Sequence, residues 1–269
     1  MDGARLNRLC FDGYDLLTPE PKSFHPPATD YGRYETRPVY GYDDCFPTVD
    51  ACRFPGTDWD VPDHGELCWS GWHASGTRQR LAFSVQSTVL PLLFTREMLF
   101  TESTIRWTFK AVNQGDWTIP FQHVMHPLMK LGEVTDIELP ACDAIYNETT
   151  RQMMTLKSPR NIKKYLLEQP KGSTAMLFLQ NVKSGIMSQT FRGGMHLTVI
   201  FPEKLFSTLG IWWNNSGYPD EEGCRRTECA FEPVPGLTSN LAEAYKSKSC
   251  LAVAPGRTLS WHIEWAIDH

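Results

Sequence analysis

Hydrophobic and polar residues alternate with a period of two through several stretches of the chain. In Ser103 to Trp117 (STIRWTFKAVNQGDW), Ile105, Trp107, Phe109 and Ala111 alternate with Thr104, Arg106, Thr108 and Lys110, and the run closes on a turn-like Asn113-Gln114-Gly115. Successive side chains of a strand point to opposite faces, so this is the pattern of a strand buried on one face. Met195 to Phe201 repeats it through Leu197, Val199 and Phe201, and Leu259 to Ile267 through Trp261, Ile263, Trp265 and Ile267. LAFSVQSTV (from Leu81) and AMLFLQNV (from Ala175) give weaker strand patterns. Helical periodicity is confined to two short segments. In GLTSNLAEAYKSK, Leu241, Ala244 and Tyr245 form an apolar face behind a cap at Thr238 or Ser239, and NIKKYLLEQ is the second. Residues 18 to 62 are rich in Pro, Asp and aromatics without periodicity, which predicts ordered loops and short strands of the kind where binding residues collect. The pattern predicts one all-β domain over residues 1–269, a sandwich of many strands with few short helices.

Composition agrees with that picture. The chain has 269 residues, 41% hydrophobic and 21% charged, with nine Trp, nine Tyr and fourteen Phe, enough for one large core. A net charge of -5 with scattered Lys and Arg argues against a nucleic-acid surface. No apolar run approaches the roughly 18 residues that span a bilayer, and the first 17 residues carry no apolar leader. The eight cysteines include no CxxC pair, and Cys224 to Cys229 has the wrong spacing for most zinc knuckles. Reduced thiols in a cytoplasmic protein without a metal are therefore expected.

Four segments carry candidate chemistry. In PFQHVMHPLM, His123 and His126 lie three apart, and Pro127 pushes His126 out of the helical region. On a strand the two then face opposite ways, so at most one faces a pocket. In AFEPVPG, Glu232 sits among apolar neighbours that can desolvate it and raise its pKa toward useful base strength. PDHGELCWSGW offers His64 as a hydroxyl partner and Trp69 or Trp72 as a stacking face, against the commoner fate of Trp as core. GIWWNNSGYP offers its two Trp and two Asn, Trp213 and Asn214 foremost, as a pocket wall with amide donors, with plain core packing as the alternative.

The order of these segments resembles the galactose mutarotase-like superfamily, the aldose 1-epimerases, over roughly residues 10 to 267. The shared features are His64-Gly65 with Trp beyond, then Asn113, Gly115 and Pro120-Phe121 leading into His126-Pro127. Then follow Glu232-Pro233 with Gly236 and a closing Leu251, Pro255 and Gly256, with Arg257 where the family has Glu. The resemblance implies a β-supersandwich of two large antiparallel sheets with a sugar in a cleft. It also implies Glu232 as general base, His126 as general acid and His64 as a substrate contact, with no cofactor; Trp72, Trp213, Asn214 and Asp43 are the further expected substrate contacts. Both proton-transfer groups are expected about 5–8 Å apart across one cleft, each in hydrogen-bond reach of its own sugar oxygen, with His123 outside it. The branch acting on hexose 6-phosphates carries an Arg-led segment. In this chain Val39 replaces that Arg and Asp43 and Asp44 lie nearby, which predicts no preference for phosphate. The expected partner is a small-molecule sugar, not nucleic acid or membrane, bound by a monomer or homodimer. The competing readings are a non-catalytic sugar-binding protein on the same fold and another sugar-active enzyme, a lyase or isomerase.

Overall fold

The computed structural model describes residues 3–156 and 158–268. Two antiparallel sheets dominate it. The larger has eight strands in the order Val134–Glu138, Ile186–Phe191, His196–Ile200, Thr258–Asp268, Thr104–Asn113, Leu92–Phe100, Arg80–Gln86 and His73–Gly76. Its centre is the pair read from the alternation. Trp261 lies opposite Phe109, Ile263 opposite Trp107 and Trp265 opposite Ile105, and all six side chains are buried. The smaller sheet has five strands in the order Gln152–Met153, Ala144–Asn147, Ser173–Gln180, Thr208–Tyr218 and Arg226–Val234. One apolar cluster runs from Ala4 to Ile267 and draws on both sheets. The architecture is the all-β, two-sheet arrangement expected from the sequence.

Two α-helices are present among the described residues, Pro159–Leu167 and Leu241–Lys246. Ser158 caps the first, accepting from the Asn161 N–H. The cap of the second is Asn240, accepting from the Glu243 N–H at 3.2 Å, and not Thr238 or Ser239. The Ser239 hydroxyl is engaged elsewhere, with the carboxylate of Asp50.

The functional region hangs on a two-stranded element, Tyr42–Cys45 paired with Val124–Pro127. All four residues of Tyr42–Cys45 are buried, including two adjacent carboxylates. Alternation sends them to opposite sides. Asp44 meets Arg96 Nη1, His123 Nε2 at 3.0 Å and the Tyr42 hydroxyl at 2.6 Å. Asp43 meets Arg37 at 2.9 Å, Arg5 at 3.2 Å and the Tyr34 hydroxyl at 2.7 Å. Buried ion pairs add little net stability when intact but cost heavily when one partner is removed. Arg96→Met should therefore destabilise the protein by about 3–5 kcal/mol in chemical denaturation, because it strands Asp44 and the Ala4 carbonyl that Arg96 also serves. A loss below about 1 kcal/mol would contradict this role for the pair.

Candidate active site

A cavity of about 720 Å³ opens beside this element and is lined by residues from 29 to 239. His126 reaches it from Val124–Pro127, in register with Asp43. Glu232 reaches it from Arg226–Val234, opposite Gly210. His64 comes from a loop with φ of 59°, followed by Gly65 with φ of 70°. A Cβ at Gly65 would sit 1.9 Å from the Phe46 carbonyl oxygen, so only glycine permits this close approach. Tyr34 stacks flat on the His64 ring at 3.7 Å, and His64 meets His126 edge-on at 5.0 Å.

His126 Nε2 lies 3.5 Å from Glu232 Oε1. This is closer than the 5–8 Å expected from the span of a sugar ring, and the chemistry explains why. In the expected sugar chemistry the anomeric hydroxyl and the ring oxygen are bonded to the same carbon, so an acid and a base serving both would need little separation. His123 faces the interior instead, packed on Phe109 at 4.4 Å, Phe94 at 5.1 Å and Trp261 at 5.3 Å, with Nε2 on Asp44.

Burial sets the proton affinities. Desolvation lowers the pKa of His126 well below its ordinary value, and electrostatic interaction with His64, Arg226, Arg37 and Arg5 adds to the effect. Desolvation, then Glu148 and Asp50, push Glu232 up to about 8. Desolvation and Asp50 likewise bring the half-buried Glu148 to about 7. The Ser239 hydroxyl sits between Asp50 and Glu148, 3.3 Å from Glu148 Oε1. Both shifts favour the uncharged forms of His126 and Glu232 at neutral pH, with the transferable proton on the carboxyl.

The wall away from this pair is also acidic. Arg226 is its cation, and it is fully engaged: Glu35 accepts from both terminal nitrogens at 2.6 and 2.8 Å, and Glu228 accepts from Nε at 2.9 Å. Trp212 and Tyr218 supply the aromatic surface.

Of the expected sugar contacts, the structure brings His64 to the cavity and leaves four outside its walls. Trp72 is core: its Nε1 donates to the Leu67 carbonyl at 2.9 Å and its ring meets the edge of Phe94. Trp213 points to the opposite side of its strand from Trp212, which takes the place expected for it. Asn214 is buried beneath the following turn, where Oδ1 accepts from the N–H groups of Gly217 and Tyr218 at 3.0 and 2.9 Å. It shapes the wall through Tyr218. Asp43 lies beneath the floor, neutralised by two arginines. Asp43 and Asp44 therefore exert no direct repulsion on a phosphate; the cavity's own carboxylates do. Sequence reading missed Tyr34, Asp50, Glu148 and Arg226, of which Tyr34 and Asp50 fall in the 18–62 region marked for binding residues; of the two Trp it offered, Trp212 is the one in the wall.

Cys45, His64 and His126 place potential metal donors within 4.8 Å of one another. Burial pushes the Cys45 thiol well above its ordinary range, so a metal ion bound there would have to displace the thiol proton.

Comparison with solved structures identifies the fold. An Escherichia coli K12 protein provisionally described as an aldose 1-epimerase superposes with a TM-score of 0.73 at 16% identity, covering 99% of this chain and 93% of that one. A galactose mutarotase-like protein from Lactobacillus casei gives 0.69 at 15%, covering 99% and 95%. A galactose mutarotase related enzyme from Lactobacillus acidophilus gives 0.68 at 14%, covering 100% and 92%. No family model matches the chain, and no curated protein matches it in sequence. The chain has the galactose mutarotase-like fold over nearly its whole length. Among its described residues no helix is long and apolar enough to cross a membrane.

A carboxyl group with a raised pKa in the folded state stabilises the fold fully only below its unfolded pKa, and that stability is lost as pH rises through the folded value. For Glu232 the window runs from about 4.5 to about 8. Glu232→Gln should remove this slope and be more stable than wild type at pH 8 by about 2 kcal/mol or more, since tenfold in proton affinity is about 1.4 kcal/mol. Thermal unfolding of both proteins across this range checks it; a stability difference that is flat with pH would contradict it.

Proposed function

We propose that the protein is an aldose 1-epimerase-like enzyme that interconverts the anomers of an uncharged sugar. The observation that carries this reading is the buried His126–Glu232 pair, 3.5 Å apart in a sugar-sized cavity. His126 Nε2 takes the proton of the anomeric hydroxyl while the protonated Glu232 gives its proton to the ring oxygen. The C1–O5 bond breaks, O1 becomes the aldehyde oxygen, and C1 is free to rotate. As the ring recloses on the other face, Glu232 takes its proton back from O5 and His126 returns its proton to O1, so the pair ends as it began. The resemblance implied Glu as base and His as acid. Burial favours the opposite starting assignment, because two neutral groups are easier to bury than an imidazolium and a carboxylate. The two assignments hold the same number of protons and give the same bell-shaped rate profile.

Glu232→Gln should abolish anomer interconversion, by about 10²–10⁴-fold, and leave binding nearly intact, because Gln keeps the shape but transfers no proton. Polarimetry on freshly dissolved sugars measures the rate. An active variant would move the role to another carboxyl, Glu148 first. Binding without acceleration by the wild type would favour a sugar-binding protein. The wild-type profile should rise well below pH 6.5 as His126 loses its proton and fall near pH 8 as Glu232 ionises.

The acidic wall supports a free sugar over a phosphorylated one. A dianion entering among Asp50, Glu148 and Glu228 finds Arg226 already paired on both sides. Calorimetric titration with paired sugars and sugar phosphates should show no gain from the phosphate; a tenfold preference for it would contradict the reading.

A further inference from the structure

We propose that Tyr34, oriented by Asp43, is a positioning residue that holds His126 with its proton on Nδ1, so that the cavity-facing Nε2 is the bare, proton-accepting nitrogen. A neutral imidazole carries one N–H, and its position follows from the partner of the other nitrogen. His126 Nδ1 lies 3.3 Å from the Tyr34 hydroxyl, and that oxygen lies 2.7 Å from Asp43 Oδ2. The hydroxyl has a single proton to give. With guanidinium groups of Arg5 and Arg37 on it, Asp43 presents only lone pairs to Tyr34. If the proton pointed at His126 instead, two lone-pair-bearing oxygens would face each other at 2.7 Å. The proton therefore lies toward Asp43, and the tyrosine oxygen turns its remaining lone pair to His126. Two acceptors at 3.3 Å would repel, so Nδ1 carries the hydrogen and donates it.

The surroundings keep this arrangement in place. Tyr34 is fully enclosed, and burial with Asp43 raises its pKa well above the ordinary value, so the phenol keeps its proton. Its ring is clamped between the flat face of His64 and the Arg37 guanidinium at 4.9 Å. In water histidine favours the opposite tautomer, with its proton on Nε2. In that form the nitrogen facing Glu232 would be a donor, unable to accept the anomeric proton. The chain Arg37–Asp43–Tyr34–His126 thus does for this imidazole what a buried carboxylate does in a hydrolase triad, with a phenol interposed. It converts the tautomer into a structural property set from beneath the cavity floor.

The consequence for rate rests on the anomer-exchange reading, whereas the tautomer does not. Two-bond ¹H–¹⁵N correlation spectra of the full chain labelled on histidine distinguish the states, since bare and protonated ring nitrogens resonate far apart. The His126 signals are assigned by their loss in His126→Asn. The wild type should show Nδ1 protonated and Nε2 bare. Tyr34→Phe, which removes only the hydroxyl, should shift the ring toward the Nε2–H form and slow anomer exchange about tenfold or more, with KM changed less than about twofold. A wild type with Nε2 protonated overturns the proposal, as does a Tyr34→Phe spectrum identical to it. Correct tautomers in a protein that accelerates no sugar would uphold the proposal and refute the anomer-exchange reading. Turnover by a wild type with Nε2 protonated would do the reverse.

Discussion

The structure depends on the burial of two neighbouring carboxylates, Asp43 and Asp44, in one strand. A buried charge must be paired and hydrogen-bonded, and a strand sends consecutive side chains to opposite sides. Each carboxylate therefore recruits its own cations and hydroxyl, and each set fixes one region. On the core side Arg96 ties Asp44 to the strand Leu92–Phe100 and to the N-terminal segment at Ala4, while His123 is drawn into the aromatic interior. On the cavity side Asp43 fixes Arg5, Arg37 and Tyr34, and through Tyr34 the rings of His64 and His126. The division of labour between the two histidines follows from this split. His123 serves the fold because it meets Asp44; His126 serves the cavity because it stands over Asp43.

Desolvation then turns a geometric pair into a chemical one. The same burial that would forbid an isolated ion moves the two proton affinities in opposite directions, down for His126 and up for Glu232. The crossing leaves one proton to share and no net charge. Glu148 and Asp50 strengthen the effect on Glu232 by adding negative potential. On the proposed reading that potential also favours a neutral polyol over an anion, because the guanidinium in the cavity lining, Arg226, is committed to Glu35 and Glu228. The proposed acid–base chemistry and the charge of the ligand would then depend on the same set of acidic groups.

Much of the fold was legible because its central strands are one-sided. The alternation through Ile105 to Ala111 and Trp261 to Ile267 marks the buried faces that the register then brings together. His126 and Glu232 could be singled out because Pro127 keeps His126 out of the helical region, Glu232 sits among apolar neighbours, and the order of motifs fitted a known pattern. The rest of the site was opaque for a physical reason. Trp212 and Trp213 are adjacent and chemically alike, and only strand phase decides which faces the cavity. Asn214 is spent on its own turn, a local use that its sequence setting does not distinguish from ligand contact. Tyr34, Asp50 and Glu148 come from aperiodic segments far apart in the chain, so no spacing rule joins them. Asp43 and Asp44 read as acids placed beside the ligand, because nothing in their spacing marks Arg5, Arg37 and Arg96 as the cations that take them up beneath the floor and in the core.

The central claim is that Glu232 is a neutral carboxylic acid at physiological pH, held so by burial against a neutral imidazole. Infrared difference spectroscopy of wild type minus Glu232→Gln reads this directly, because a protonated carboxyl has a C=O stretch well separated from carboxylate bands. At pH 6.5 the difference should contain one protonated-carboxyl band assigned to Glu232, which should fade into carboxylate bands as the pH passes about 8. A difference spectrum that shows only carboxylate bands at pH 6.5 would mean that Glu232 is ionised in the resting protein, and the account of a neutral proton-sharing pair would be wrong.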